Sequence, residues 1–582
     1  MAEKKQAKKS LSKKQTAPTK RGIRYLGGQL LVKMAQGGAA ALRNNADEVN
    51  KLNVFPVPDG DTGDNMMMTI ESGVETISSL DTDNLAEVMH VLSHGMLLGA
   101  RGNSGVILSQ FFAGIAKGFE GVEQASPKEL GKALEQGVEQ AYTSVMTPTE
   151  GTILTVARES VEYAVKKLHP QSTIKTFFQD LVDEMHASLD RTPEILTVLK
   201  EANVVDSGGA GLLYIFDGFN RVLNGKDIPT TEEGSIKKSS TPIPTGSFGP
   251  DSEMTYGYCT ELLIQLQNKK VDIESFDIEP LKAFLGEIGD SVVAFKTESI
   301  VKIHVHTLTP EKVLEKCREV GEFLTVKIEN MSLQHTENEM NKAAEEEDNS
   351  AVVLPTTRQS EKKRYGVVAV CNGQGLIEVF TQLGTDVIVE GGQTHNPSTN
   401  DFLAAFASIN AENILVFPNN SNIFMAANQA AAMYTDARVL VVPSKYMGTG
   451  YVALSYVDQE CEDADEMLES LTEIMANVKT GYISPSIRDA DIGGVHIETG
   501  DTIGIINKEI VVSDKEKRSA ALRTVDEMID DDHFMLTIIV GAESTEEERK
   551  SLGKEISEKH PEVEIYIIDG GQEIYPYIFV AE

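Results

Sequence analysis

The sequence predicts a multidomain protein with an all-α N-terminal unit, a small α+β middle unit and an α/β C-terminal unit. Three observations carry that reading. At 582 residues the chain exceeds what one hydrophobic core sustains, since cores stop growing near ~250 residues. The hydrophobic period changes along the chain, from helical spacing to short strand-like runs. Two polar segments, TTEEGSIKKSSTPIPTGSFGPDSE and HTENEMNKAAEEEDNSAVVLPTTRQSEKKR, separate the blocks and lack the apolar residues needed to fold. The expected boundaries are a basic leader at 1–21, a helical unit at 22–225, a linker at 226–254, the middle unit at 255–335, an acidic linker at 336–363 and the last unit at 364–582.

Within the helical unit, YLGGQLLVKMAQGGAAALRNNADEVNKL and LAEVMHVLSHGMLLGA repeat apolar residues every three or four positions, and their glycines are expected to interrupt helices. The middle unit runs YCTELLIQL, a helix in IEPLKAFLGEIG, the strand pair SVVAFKTESIVKIHVHT and a helix in PEKVLEKCREVGEFL. That order predicts a hairpin before the last helix. From Tyr365, β-branched runs alternate with helices (YGVVAVCNGQGLIEVFTQLG, VIVEGG, NILVFPNNSNIFMAANQAAAMY, VLVVP), which predicts a parallel sheet covered on both faces. DTIGIINKEIVVS, HFMLTIIVGAES and VEIYIIDGGQEIYPYIFVAE continue it as a second lobe.

Charge narrows the function classes. Residues 1–21 carry a net +7 against −36 for the whole chain, so the remainder holds −43. Phosphates would be repelled by such a body, which argues against nucleic acid as its partner. The leader lacks an export signal's apolar core, no stretch is apolar enough to span a bilayer, and the four cysteines are widely spaced without a disulfide pattern. A cytoplasmic enzyme with no membrane span is expected. Cys317 and Cys371 lie in apolar contexts and read as packing residues.

Two motifs carry chemistry. LNVFPVPDGDTGDNM (52–66) crowds Asp59, Asp61 and Asp64 on Gly60 and Gly63, a turn suited to holding a cation. An EF-hand does not fit, because Ile70 stands where its bidentate Glu belongs. The competing reading is a solvated turn before a helix capped by Asp61, Thr62 or Asp64. GARGNSGVILSQ (99–110) places Gly102, Asn103, Ser104 and Gly105 at a helix start, either as a cap or as backbone N–H groups for phosphate oxygens, without the Lys-Ser/Thr ending of a Walker A loop.

Together with PTEGTILTVARES (148–160) and VVDSGGAGL (204–212), these motifs resemble the ATP-binding domain of the dihydroxyacetone kinase L-subunit class, and the three-part layout is similar to the fatty acid kinase catalytic-subunit family. The resemblance implies a DhaL-like antiparallel helix barrel holding ATP and two Mg²⁺ at one end. Asp59 and Asp61 would be the Mg²⁺ ligands. That class has a third Asp five residues before this pair, where this chain has Val54, so Asn53 or a phosphate oxygen would fill the second metal's shell. Gly102 to Gly105 would form the phosphate loop, with Thr62, Gly63 and Asn65 beside it. Thr152, Asp206, Gly208 and Gly209 would be further parts of the nucleotide pocket.

HVHT sets His304 and His306 on one face of a strand, and Cys259 lies on another strand of the same unit. Spacing alone leaves packing or surface roles open. The family's middle domain implies Zn²⁺ held by Cys259, His304 and His306, with Glu261 a candidate fourth ligand, and a homodimer through this unit. EGGQTHNPST (390–399) is similar to the DegV-type fold, which implies docking of a fatty-acid-loaded FakB-type binding protein ahead of lipid binding by the domain itself. The expected reaction is phosphorylation of the fatty acid carboxylate by ATP, giving an acyl phosphate. A small-polyol kinase or a non-catalytic nucleotide-sensing scaffold are the alternatives.

Overall fold

The computed structural model describes residues 23–53, 60–226, 258–273, 276–297, 299–330, 352–353, 362–393, 395–530, 532–542 and 544–582. The basic leader, Val54, Asp59 and most of both linkers lie outside these residues, as do the side chains of some strand and helix residues in the middle unit.

The described part of the N-terminal unit is all helical. It contains α1 (Gly28–Arg43), α2 (Ala46–Lys51), α3 (Thr62–Ile77), α4 (Leu85–Leu98), α5 (Gly102–Gly118), α6 (Pro127–Thr143), α7 (Ile153–Lys166), α8 (Ile174–Ile195), α9 (Thr197–Glu201) and α10 (Ser207–Leu223). Helix starts are written into the sequence. Ser126 and Glu129 form a reciprocal capping box with Pro127 at the first turn of α6, and Thr173 caps α8. From α3 to α8 each long helix packs on the next, α8 packs on α10, and α10 closes on α1, giving a ring around one apolar core. Phe111, Phe112, Phe178, Phe216 and Phe219 fill it, with the Phe216 and Phe219 rings 5.1 Å apart.

The glycines of α1 do not interrupt it. Gly37 and Gly38 sit inside the helix, where a methyl group on Gly218 of α10 would come within 2.5 Å of the Gly37 carbonyl oxygen. Close approach of two backbones, rather than a break, explains their presence.

The middle unit has β1 (Tyr258–Leu266), α11 (Glu279–Ile288), β2 (Gly289–Thr297), β3 (Ile300–Thr307), α12 (Pro310–Arg318) and β4 (Gly321–Asn330). Its antiparallel sheet has the order β2-β3-β1-β4, with the expected β2–β3 hairpin. Leu262, Ile264, Ile303 and Val305 pack with Leu285, Val313 and Cys317. Burial pushes the Cys317 thiol up to about 12, so it stays protonated as a packing residue.

The C-terminal unit has two lobes. In the first, β5 (Val352–Val353) pairs antiparallel with β7 (Val387–Glu390), while β7, β6 (Lys363–Cys371), β8 (Ala411–Phe417) and β9 (Arg438–Val441) run parallel in the order β7-β6-β8-β9. The continuous apolar run of β6 is buried from Tyr365 onward, as a sheet covered on both faces requires. The second lobe comprises β10 (Lys479–Pro485), β13 (Thr502–Ile506), β14 (Glu509–Asp514), β15 (Met535–Val540), β16 (Glu564–Asp569) and β17 (Tyr577–Ala581), ordered β14-β13-β10-β17-β15-β16, with only β15–β16 parallel. A small hairpin, β11 (Ala490–Ile492) and β12 (Val495–Ile497), stands apart. No helix among the described residues is long and apolar enough to cross a membrane.

The first lobe sits on the helical ring at the start of α5. Ala100 and Val106 join the apolar cluster of Val368, Val370, Phe402 and Phe406. Around that seam, Arg101 bridges to Ser398, the Thr399 N–H donates to the Ala100 carbonyl at 3.1 Å, and Gln429 donates to the Leu97 carbonyl at 2.8 Å.

Candidate active site between the helical ring and the C-terminal unit

Four helix N-termini converge at this end of the ring. The Ser207 hydroxyl, opening α10, donates to the Thr62 hydroxyl at the start of α3 at 3.4 Å. The Asp206 carboxylate accepts from Gly209 N–H at 2.7 Å and from the Ile153 N–H that opens α7. Gly102, opening α5, lies so close to Asn65 of α3 that an added methyl would be 2.6 Å from its Nδ2. Gly102 also has φ +57, a conformation that side chains rarely adopt, so glycine there serves both the turn and the close approach. Each helix start leaves N–H groups without intrahelical acceptors, and the dipoles add their positive ends. The arrangement favours an anion.

Asn53, Asp61, Thr62, Asn65, Asn103 and Ser104 line one side of a cleft of about 420 Å³. Asp61 occupies the N-cap position of α3, but its side chain makes no capping bond. Its carboxylate instead accepts a hydrogen bond from Asn396 Nδ2 of the C-terminal unit. The side chain that a capping role would turn inward therefore faces the cleft. Gly63 donates its N–H to Asn50 Oδ1 at 2.6 Å, and Asn50 Nδ2 donates to Asp64 at 2.8 Å. Burial pushes the Asp64 carboxyl above its usual range, opposed by that bond. Asp64 thus braces the turn from behind.

Gly105 packs against Thr69, whose hydroxyl donates to the Asn65 carbonyl at 2.6 Å. Thr152, Asp206, Gly208 and Gly209 lie at the adjoining starts of α7 and α10 and are not among the residues lining this cleft. Asn103 Oδ1 is buried without a hydrogen-bond partner, while its Nδ2 donates to Asn422 Oδ1 at 3.4 Å. A carboxylate, an orphaned amide oxygen and free helix-start N–H groups are a donor set suited to a hydrated Mg²⁺ carrying phosphates.

The opposite wall was not anticipated from sequence. It comes from Gln393, the asparagine-rich run Asn419–Asn422, Lys445, Tyr446, Asn507 and Lys508 of the C-terminal unit. EGGQTHNPST contains Gln393 and Asn396, yet nothing in its local pattern says which residue it meets across the chain. Arg101 belongs to the seam: its Nη1 donates to the Asn396 carbonyl at 3.0 Å and lies 3.9 Å from Asp401.

In the middle unit, the register pairs Cys259 with His306 and Glu261 with His304 across β1 and β3. The side chains of these four residues lie outside the described ones, among which no cluster of three or more metal-ligating groups occurs.

Burial pushes the Asp206 carboxyl up to about 6, outweighing the two N–H bonds that pull it down. Its folded value lies above the unfolded one, so the stability it contributes is fully present below about pH 4 and is lost as pH rises through about 6. Asp206→Asn keeps the cap acceptor without the charge. Relative to wild type, it should gain on the order of 1–3 kcal/mol between pH 4 and pH 7 in urea unfolding of the full chain; a pH-independent difference would contradict this account.

Family models match three stretches of the chain. Residues 56–221 match the DAK2 domain, residues 255–338 the FakA-like middle domain of fatty acid kinases, and residues 366–582 the FakA-like C-terminal domain of the same kinases. Protein YloV of Bacillus subtilis (strain 168) is 39% identical over 569 residues, covering 96% of this chain and 100% of YloV. An uncharacterized protein of Staphylococcus aureus (strain MRSA252) is 36% identical over 571 residues, with 96% and 100% covered. Among solved structures, the dihydroxyacetone kinase from C. freundii in complex with AMP-PNP and Mg²⁺ is 20% identical, covering 37% of this chain and 38% of that one, with TM-score 0.27. DegV, a fatty acid binding protein from Bacillus subtilis, is 16% identical over 38% of this chain and 99% of its own, with TM-score 0.28. Full-length identity to YloV, with the three domain matches in one order, places the chain in the FakA-like fatty acid kinase family.

Proposed function

We propose that the chain is the ATP-dependent catalytic subunit of a fatty acid kinase, phosphorylating the carboxylate of a fatty acid that a FakB-type protein presents. The observation that carries this reading is the cleft where Asp61, Asn103 and Ser104 meet at converging helix N-termini. N–H groups of the 102–105 turn hold the phosphate oxygens of ATP, and Asn65 and Thr62 border them. Asp61, with Asp59 beside it in sequence, holds Mg²⁺. Bound there, Mg²⁺ neutralises charge on the β- and γ-phosphates. A fatty acid carboxylate is ionised near pH 7, given an ordinary carboxyl pKa of ~4–5. Its oxygen attacks the γ-phosphorus, the bond to the β-phosphate oxygen breaks, and ADP leaves with that electron pair. The chain's task is positioning and electrostatics, so no strong general base is required.

The acyl chain belongs to the partner in this reading. A pocket in the C-terminal unit, lined by Leu376, Ile423, Met447 and Ile578 together with Asn372, Gln572 and Glu573, holds about 60 Å³. Ligand pockets usually span ~300–1,000 Å³, which supports docking of a lipid carrier over lipid binding by this domain. The alternating Leu324, Val326 and Ile328 on edge strand β4 are 54%, 45% and 38% exposed, and an apolar edge of this kind supports dimerisation through the middle unit. The Cys259–His306 register supports Zn²⁺ held by Cys259, His304 and His306 in that unit.

Asp61→Asn, which keeps an oxygen to accept from Asn396 Nδ2 but removes the charge, is expected to lower Mg²⁺-dependent, fatty-acid-dependent ATP turnover at least about a hundredfold with an unchanged thermal melt; unchanged turnover removes this turn from the mechanism. Nucleotide binding without turnover in the presence of loaded carrier would instead favour the scaffold alternative. Metal analysis of purified protein should find zinc in wild type and lose it in His304→Ala. Light scattering should read a dimer in wild type and a monomer in Val326→Glu, and a monomeric wild type would refute dimerisation.

A further inference from the structure

The cleft has two walls of different chemistry. The helical wall presents Asp61, Thr62, Asn103 and Ser104, and the neighbouring Arg101 is committed to the Asn396 carbonyl and Asp401. Among the described lining residues, the cations are Lys445 and Lys508, both from the C-terminal unit. They arrive from different lobes. Lys445 follows β9 at the start of the helix Met447–Ser455, and Lys508 sits in the β13–β14 turn beside Asn507, whose φ is +54.

Neither lysine makes an ion pair or hydrogen bond among the described residues, and both are exposed. In a chain with 89 acidic and 53 basic residues, these two lysines are the cations that the described lining brings to the cleft. Asn396, 2% exposed, ties this wall to Asp61 and so holds the two sides in register.

We propose that the C-terminal unit completes the phosphoryl-transfer site in cis, with Lys445 and Lys508 contacting the terminal phosphate of the nucleotide. Helix-start N–H groups satisfy phosphate oxygens from one side, and the ammonium groups do so from the other. The lysines thereby counter charge on the group being transferred, which the neutral turn at 102–105 does only with dipoles. Docking of the lobe on the start of α5 then becomes part of the catalytic apparatus as well as a platform for the partner. This inference rests on the nucleotide site proposed above.

The test is equilibrium binding of Mg²⁺–AMP-PNP and Mg²⁺–ADP to the full-length wild type, Lys445→Met, Lys508→Met and the double variant, without fatty acid or carrier. AMP-PNP affinity should fall roughly tenfold or more in the double variant, while ADP affinity changes less than about twofold. Lys445→Arg and Lys508→Arg should retain most of the preference for AMP-PNP, and thermal melts should match wild type. Unchanged AMP-PNP affinity, or an equal loss for both nucleotides, overturns the proposal while leaving the kinase reading intact. A wild type that binds neither nucleotide overturns the nucleotide site itself, and this inference with it.

Discussion

Everything at the candidate site depends on one constraint: four helices of a closed ring end at the same place with N–H groups that lack intrahelical partners. Such groups need acceptors, and side-chain caps satisfy only some of them. Asp206 caps α10 and reaches the Ile153 N–H of α7, but Asp61 leaves its own helix uncapped by its side chain. The electrostatic field that would favour an ordinary carboxylate cap here instead favours an external anion.

That arrangement also explains the seam between the units. The start of α5 carries Ala100 and Val106 into the first lobe's core, while Arg101 and Gln110 bond across it, the latter pairing amide to amide with Gln429 at 2.8 Å. Apolar burial fixes the distance between the units, and the polar contacts fix their register. The Asn396–Asp61 bond requires both conditions. A carboxylate held by a neighbour in this way loses orientational freedom.

The fold was largely legible because its local signals agree. Helical spacing, the Ser126–Glu129 box, the strand-helix alternation after Tyr365 and the hairpin before α12 all point to the elements observed. Where reading by local pattern failed, tertiary proximity was the cause. Gly37 and Gly38 look like helix breakers until Gly218 of α10 is seen against them, when small size becomes a packing requirement. Asp64, by contrast, stands apart from the Asp59–Asp61 pair already in the sequence reading, and Asn50 holds it from behind the turn.

Three units, the carboxylate turn and the glycine loop follow from residue order alone, because periodicity, capping and turn chemistry act over a few residues. Long-range packing settled the rest: Asp61 faces a cleft rather than capping its helix, and Lys445, Lys508 and Asn396 stand opposite it. Those residues lie more than 300 positions from the turn they face, and no local preference encodes a partner at that separation. Burial of Ala100 and Val106 in the C-terminal core is what brings them there.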